Sequence, residues 1–478
     1  MLHGKVAGEP SQHHGEEDYS HGDSVTDGYD ERMSPFEPIR VVGPVSIEST
    51  ESDGRGKGML GSRVVLVSQA IPGDTVMVRV DSQTRGTFGG RVRRVVDPSP
   101  HRTTSPCKHE FWCTGCAWIG ATGDYEAEMK RGRVVDMATA IGVPVEVIGA
   151  LRRPSPTLGY RHYAKSEFGS RQGALILGSF VSGTHWVVDN DGCPVLVDEL
   201  SKTTSAVLRS AIAIGATRDR PETRGLRHVL ARRSRATGET LIVVASGRDD
   251  ASDARAVVQQ VTALDPSVTS AWTLAQTKAS NTLLDGDLVH VSGKTTITDS
   301  LLGIPVQIGP RSFFQANPAC AEAMFEVALQ LAGVGNRVWD LYSGVGVLAM
   351  ALATNFAHVS AVESVPEAAA LIGANAASAR VNVVGLSAKV EDYAAWAPLA
   401  GSPDVIVADP PRKGLGLLGV SACTESSAQR LVLLSCDLTA WQRDVGELLR
   451  RGFLVTAVEP FDAFPKTAHV ETVTCFER

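Results

Sequence analysis

Beyond residue 306 the chain alternates short apolar runs with helix-like stretches. The runs are Arg337–Leu341, His358–Glu363, Asp404–Asp409, Arg430–Ser435, Phe453–Val458 and Val470–Phe476. Strands that alternate with helices build a parallel sheet covered on its faces. Residues 306–478 are therefore expected to form a doubly wound α/β domain. Such domains place their chemistry outside the carboxyl ends of the strands. Three sequence features fall there: the glycine turn Asp340-Leu-Tyr-Ser-Gly-Val-Gly346, the loop Asp409-Pro-Pro-Arg412, and Cys436 after Leu431-Val-Leu-Leu-Ser435.

The upstream pattern is different. Within residues 37–100, Arg63-Val-Val-Leu-Val67 and Asp74-Thr-Val-Met-Val-Arg-Val80 read as strands split by a turn at Pro72-Gly73. A further run, Arg91–Val96, follows Gly86-Thr-Phe-Gly-Gly90. Several short strands in sixty residues predict an OB-type β-barrel, with basic residues alternating with valines. Residues 101–305 hold a cysteine cluster, a helix from Asp124 to Ile141, and then a mixed α+β stretch. Its strand-like runs include Thr240–Ala245 and Asp287–Val291. Residues 1–36 are poor in apolar side chains and are expected to be a disordered acidic tail.

At 478 residues, 43% apolar and 21% charged, the chain has room for several packed domains. It shows neither a run of eighteen apolar residues nor a signal pattern, so a cytoplasmic protein without membrane association is expected. Nothing points to an obligate protein partner. The formal net charge is -7, but residues 1–36 contain eight acidic and two basic side chains. The remainder is thus near neutral, with basic clusters at Arg91, Arg93, Arg94 and Arg102, at Arg152, Arg153, Arg161 and Lys165, and at Arg224, Arg227, Arg232, Arg233 and Arg235. Local basic surface can hold phosphates even when the total is negative.

Cys107, Cys113 and Cys116 have C-x5-C-x2-C spacing, and Cys193 follows in Gly192-Cys-Pro-Val195. Clustered thiols in a cytosolic chain point to a metal rather than to disulfides. Four thiolates suit zinc or an iron–sulfur cluster, and the spacing does not choose between them.

The glycine turn after Arg337–Leu341 lets backbone approach a ligand at a helix N-terminus. Glu363, 23 residues beyond Asp340, ends the next strand, where a carboxylate can accept from ribose hydroxyls. That pair suits NAD as well as S-adenosylmethionine. Asp409-Pro-Pro-Arg412 with Cys436 decides for methyl transfer, because hydride transfer needs neither. Carbon 5 of uracil is a poor nucleophile until a thiolate adds to carbon 6, and a base must then remove the carbon 5 proton. Cys436 and Glu471 supply that pair.

These residues resemble the RNA 5-methyluridine methyltransferases from about Pro38 to the C-terminus. The resemblance is carried by Phe313-Phe-Gln-Ala-Asn317, the glycine turn, Asp409-Pro-Pro-Arg-Lys-Gly414, Ser435-Cys436 and Phe464-Pro-Lys-Thr-Ala-His-Val-Glu471. It implies a Rossmann-like methyltransferase domain with Gln315, Tyr342, Glu363 and Asp409 at S-adenosylmethionine. It also implies Cys436 as nucleophile and Glu471 as proton acceptor. The barrel looks like the family's TRAM domain, and Cys107, Cys113, Cys116 and Cys193 look like its 4Fe-4S ligands, with a structural role. Tyr160-Arg161-His-Tyr-Ala-Lys165 resembles a central-domain signature that places Arg161 and Lys165 at RNA. Members with barrel and cluster act on large-subunit ribosomal RNA, so rRNA is expected ahead of tRNA. The target uracil would have to leave its stack, which single-stranded loops make easiest.

Two positions depart from the family pattern. Asp437-Leu438 stands where Asn-Pro usually follows the nucleophile, and a carboxylate there is expected to raise the thiol pKa. Thr114-Gly115 replaces the common Gly-Gly. The competing readings are an amino-group methyltransferase and a non-catalytic RNA-binding protein.

Overall fold

The computed structural model describes residues 40–478 apart from 182, 183, 185, 221 and 279–282. The acidic tail expected at 1–36 lies outside the described residues. Strands β1 (Val41–Thr50), β2 (Gly56–Leu60), β3 (Arg63–Ser68), β4 (Thr75–Gln83) and β5 (Thr87–Asp97) close a barrel in the order β1-β2-β3-β5-β4. The expected small barrel is present. Period-2 alternation turns Val65, Val67, Val76, Val78 and Val92 inward, while Arg93 and Arg94 of β5 are exposed.

Helix α1 (Gly123–Thr139) follows the cysteine segment. Next come β6 (Tyr163–Arg171), β7 (Ala174–Phe180), β8 (Val187–Asp189), α2 (Asp198–Ala213), β9 (Leu226–Arg233), β10 (Thr240–Ser246), α3 (Ser252–Leu264), β11 (Val268–Ala275) and β12 (Asp287–Gly293). Their strands form one sheet in the order β12-β11-β10-β9-β6-β7-β8. Val207 of α2 and Val257 and Val258 of α3 pack with Val229, Ile242 and Val244 on one face. The other face, with Leu230, Leu241 and Val243, shares a core with the C-terminal region. The hairpin β13 (Ile297–Leu301) and β14 (Ile304–Ile308) adds Ile297, Leu301, Val306 and Ile308 to that core. A boundary drawn between 305 and 306 passes through β14.

The remaining elements are α4 (Pro318–Ala332), β15 (Gly335–Leu341), α5 (Val347–Leu352), β16 (Phe356–Glu363), α6 (Pro366–Ala379), β17 (Val383–Ser387) and α7 (Tyr393–Ala400). They continue with β18 (Val405–Ala408), α8 (Gly416–Glu425), β19 (Arg430–Ser435), α9 (Leu438–Arg450), β20 (Leu454–Phe461) and β21 (Glu471–Glu477). The sheet order is β17-β16-β15-β18-β19-β21-β20. Val338, Val407, Val432 and Leu434 face one core. Their neighbours Trp339, Ile406, Leu431 and Leu433 face another, which Val134 and Ala138 of α1 also enter.

The sheet is not wholly parallel as its strand–helix rhythm suggests. β21 runs antiparallel to both β19 and β20. A parallel neighbour needs a crossover of a dozen or more residues, and the connection from Phe461 to Glu471 is shorter and has no helix. The chain therefore returns as a hairpin. No helix among the described residues is long and apolar enough to cross a membrane.

Gly54, at φ +87°, is where the barrel meets the rest of the protein. A Cβ there would lie 2.7 Å from Ala468 Cβ and 2.8 Å from Ala117 Cβ. Gly61, at φ +60°, has nothing within 4 Å of its Cβ position. Gly54→Ala is expected to cost about 1–3 kcal/mol more than Gly61→Ala through overpacking, read as a larger fall in the thermal unfolding midpoint.

Candidate active site

Five parallel strands present their carboxyl ends on one edge, and most of the expected site residues sit there. Tyr342 follows β15, Glu363 ends β16, Asp409 follows β18 and Cys436 follows β19. Gln315 reaches the same edge from the segment before α4, its Nε2 donating to Asp409 Oδ2 at 3.4 Å. Asp409 is anchored through its own N–H to Leu341 O at 3.2 Å.

The turn after β15 is backbone-strained in a useful place. Tyr342 has φ +62°, Gly344 +57° and Gly346 +87°, and the first is unusual for a residue with a side chain. Glu363 holds this turn: its Oε2 accepts from Gly344 N at 2.9 Å and its Oε1 from Val365 N at 2.7 Å. The Ser364 hydroxyl also donates to Oε1 at 3.3 Å; a carboxylate has about four lone-pair sites, so three bonds leave capacity for one ribose hydroxyl. The Tyr342 hydroxyl is buried with no hydrogen-bond partner. Asp340, absent from the sequence-based set of ligands, accepts from Ser343 Oγ and is 1% exposed. Burial first, then Asp409 and Glu363, pushes its carboxyl up to about 7. It was visible inside the glycine-turn motif.

Cys436 and Glu471 are brought together by strand register. β19 and β21 pair antiparallel with Ser435 opposite Thr472, so the next positions outward are Cys436 and Glu471. Cys436 is half-buried and Glu471 is 6% exposed. Burial, then Glu471, then Asp409 push the thiol up to about 12, while Arg412 opposes them. Burial and Asp409 push the Glu471 carboxyl up to about 8, with Arg412 again opposing.

Asp437 is not among the charges that act most strongly on the thiol. Its side chain is the N-cap of α9, accepting from Ala440 N at 2.9 Å. The charges acting most strongly on the thiol are Glu471, Asp409 and Arg412. A capping carboxylate is occupied at the helix N-terminus, where negative charge is stabilised.

Cys107, Cys113, Cys116 and Cys193 line one narrow cavity with Ile119 and Pro194. Burial raises the Cys107, Cys113 and Cys116 thiols, and Cys193 adds to each shift. No group of three or more His, Cys, Asp or Glu among the described residues is arranged to hold a single metal ion. Arg161 stands beside this cavity, where its charge favours the Cys116 thiolate, and its Nε donates to Tyr163 O at 2.9 Å. Lys165 pairs with Glu167 at 2.9 Å.

Much of the basic character read from the sequence is consumed internally. Arg91 binds Asp81, Arg102 binds Asp74 and Glu110, Arg152 binds Glu459, and Arg224 and Arg227 share Asp219. Arg232 is buried over the Tyr163 ring.

Residues 304–478 match the sequence model of the family described as tRNA (Uracil-5-)-methyltransferase. An uncharacterized RNA methyltransferase of Halalkalibacterium halodurans is 30% identical over 463 residues, covering 93% of this chain and 99% of that protein. The chain belongs to the RNA uracil-C5 methyltransferase family. It is an S-adenosylmethionine-dependent enzyme. A second RNA methyltransferase, from Thermosynechococcus vestitus, is 30% identical over 434 residues, 89% of this chain and 96% of its own. The fold matches that of a Pyrococcus abyssi tRNA (uracil-54, C5)-methyltransferase in complex with S-adenosyl-L-homocysteine. That match has a TM-score of 0.71 at 23% identity and covers 91% of this chain and 99% of that one.

Two predictions follow from the methyltransferase site. Glu471 titrates near 8 in the fold against an ordinary 4.5. A raised carboxylate favours the fold while protonated, and that contribution fades as pH climbs from about 4.5 through about 8. Glu471→Gln should therefore match wild type near pH 4.5 and exceed it above pH 8 by up to about 5 kcal/mol, read from unfolding midpoints against pH. Asp437→Ala should cost about 1 kcal/mol through the lost cap, and Asp437→Asn should restore it. Neither should move the Cys436 thiol titration, followed by alkylation rate against pH.

Proposed function

We propose that this enzyme methylates carbon 5 of an RNA uridine through a covalent adduct on Cys436, with Glu471 removing the carbon 5 proton. The observation that carries this reading is the β19–β21 register, which sets the half-buried thiol after β19 opposite a buried carboxyl.

Gln315, Tyr342, Glu363 and Asp409 are the residues proposed to hold S-adenosylmethionine, with Asp340 behind them. The donor set fits through its carboxyl groups: Asp340, Glu363 and Asp409 crowd a strained glycine turn, while the unpartnered Tyr342 hydroxyl lies against Gly419 of α8. When bound, S-adenosylmethionine supplies an electrophilic methyl group and a positive sulfonium.

The chain's own groups perform the remaining steps. Cys436 gives its proton to solvent water, a loss that Arg412 favours and Glu471 and Asp409 oppose. Its sulfur bonds to carbon 6 of the uracil, and the carbon 5–carbon 6 pair of electrons moves to the enolate. Carbon 5 takes the methyl group. Glu471 then accepts the carbon 5 proton, the double bond re-forms, and the thiolate leaves. A carboxyl that titrates near 8 suits an acceptor working around neutral pH.

Cys107, Cys113, Cys116 and Cys193 are proposed as ligands of a 4Fe-4S cluster; the zinc alternative needs a single-ion arrangement that the described residues do not show. Four thiols on one cavity, with Arg161 to offset their charge, fit a thiolate-ligated group. The cluster would hold the cysteine segment in shape. Large-subunit ribosomal RNA is the proposed substrate, on the resemblance of the barrel-and-cysteine arrangement. The Pyrococcus enzyme, named for a tRNA uracil, has the same fold length and argues the other way.

The test uses ribosomal and transfer RNA tritiated at carbon 5 of uridine. Wild type should release tritium only with S-adenosylmethionine, from ribosomal RNA, and Cys436→Ala should release none. Release from transfer RNA alone would move the substrate. Undiminished methylation by Cys436→Ala would replace the covalent mechanism with an amino-group transfer.

A further inference from the structure

The nine residues between β20 and β21, Asp462–Val470, have no regular structure, yet their ends are fixed by the pair Phe461 and Glu471. What shapes this loop therefore aims Glu471. Its carbonyl oxygens are engaged almost in succession. Ala463 O accepts from Asn317 Nδ2 at 2.8 Å, Phe464 O from Lys130 Nζ at 3.1 Å and Pro465 O from the Tyr160 hydroxyl at 3.1 Å. Lys466 O accepts from Trp118 N at 3.0 Å, and Ala468 O from Arg133.

Lys130, on α1, is the charged centre of this arrangement. Its ammonium is 0% exposed and its three protons have three acceptors: Glu126 Oε1 at 2.9 Å, Asp462 Oδ1 at 2.5 Å and Phe464 O. Glu126 also accepts from Lys466 N at 2.5 Å, and Lys466 Nζ donates to Ala121 O at 2.9 Å. Lys466 itself is held at φ +71°, a conformation a lysine rarely adopts. Buried ions are a poor way to gain stability, since well-packed apolar residues do as well. They are a good way to impose one geometry when every donor is satisfied.

We propose that Lys130 is a positioning residue for the methyl-transfer reaction: it fixes the Asp462–Val470 loop from helix α1 and thereby directs the Glu471 carboxylate at carbon 5 of the uracil. The proposal rests on the reading of Glu471 as the proton acceptor. Lys130 touches neither substrate nor cofactor in this scheme. Nothing in the sequence separates it from a surface Glu–Lys pair at i and i+4.

The experiment compares full-length wild type, Glu471→Gln, Lys130→Met and the double variant. It follows methyl transfer, tritium release from carbon 5, and the RNA–protein adduct that survives denaturation. Glu471→Gln should methylate carbon 5 and accumulate adduct, because the proton is no longer removed. Lys130→Met should accumulate the same adduct and release tritium about ten- to a hundredfold more slowly, the size of effect a small misplacement produces. Its KM for S-adenosylmethionine should be unchanged. In the Glu471→Gln background Lys130→Met should slow release by less than about twofold, because both changes act through one group.

Multiplicative losses in the double variant, or slow turnover without adduct in Lys130→Met, would overturn the positioning role while leaving Glu471 in place. Absence of adduct in Glu471→Gln would instead remove the reading on which the proposal rests. Lys130→Met takes the ammonium from buried Asp462, leaves Glu126 only the Lys466 ammonium at 3.5 Å, and risks the fold. Asp462→Asn keeps the acceptor oxygen and removes only the ion pair. It should show the same adduct with a smaller delay, and normal release by folded Asp462→Asn would equally overturn the proposal.

Discussion

The antiparallel return of β21 between β19 and β20 is the constraint on which the site depends. Had the last strand entered parallel, its first residue would lie at the amino end of β19. Six residues at about 3.3 Å each would then separate Glu471 from Cys436 by ~20 Å. The short, helix-free connection forbids that arrangement and sets Ser435 against Thr472. One topological fact thus converts two sequence-distant residues into neighbours at the edge where the parallel strands deliver their ligands.

The same edge concentrates acid. Asp340, Asp409, Glu471 and the Cys436 thiol are all pushed up, by burial first and then, for Asp340, Glu471 and Cys436, by nearby carboxylates. Arg412 is the cation that opposes the shifts at both Cys436 and Glu471. A pocket of this kind favours a positively charged ligand over a neutral one, which is the charge difference between S-adenosylmethionine and its demethylated product. Binding the sulfonium and ionising the pocket therefore assist each other. In the mechanism proposed above, the group that brings the methyl would also lower the cost of making the Cys436 thiolate.

Much of this was legible in the sequence, for physical reasons. Buried strands in a two-faced sheet are nearly continuous apolar runs, so Arg430–Ser435 and Val405–Ala408 announced themselves, and the residues that follow them fell at the strand tips. The edge strand Val383–Ser387 did not, because one side of it lacks a strand neighbour and its residues are partly exposed. The direction of β21 was also hidden, since apolar patterning carries no sign of strand polarity. Asp437 looked like a charge beside a thiol and is a helix cap. The arginine clusters looked like phosphate binders, yet Asp74, Asp81 and Asp219, outside the runs of basic residues, take up much of their charge. Composition reports charges but not their partners.

The cysteine segment lies outside the strand-tip motifs, and on sequence grounds its metal should matter to folding more than to chemistry. The contacts argue for a closer connection. Two residues beyond Cys116, Trp118 donates its backbone N–H to Lys466 O and its indole N–H to Gly54 O at 3.0 Å each. Ala121 O holds the Lys466 ammonium, and Tyr160, beside Cys116 and Cys193, holds Pro465 O. The barrel, the cysteine segment and the loop before Glu471 thus meet at one buried junction. One backbone bond, Trp118 N–H to Lys466 O, and the side-chain bonds of Lys466 and Tyr160 join the cysteine segment to the loop. The cysteine segment and the loop that leads into Glu471 thus share hydrogen-bonded contacts, and a change that moves Trp118, Ala121 or Tyr160 takes a partner from that loop.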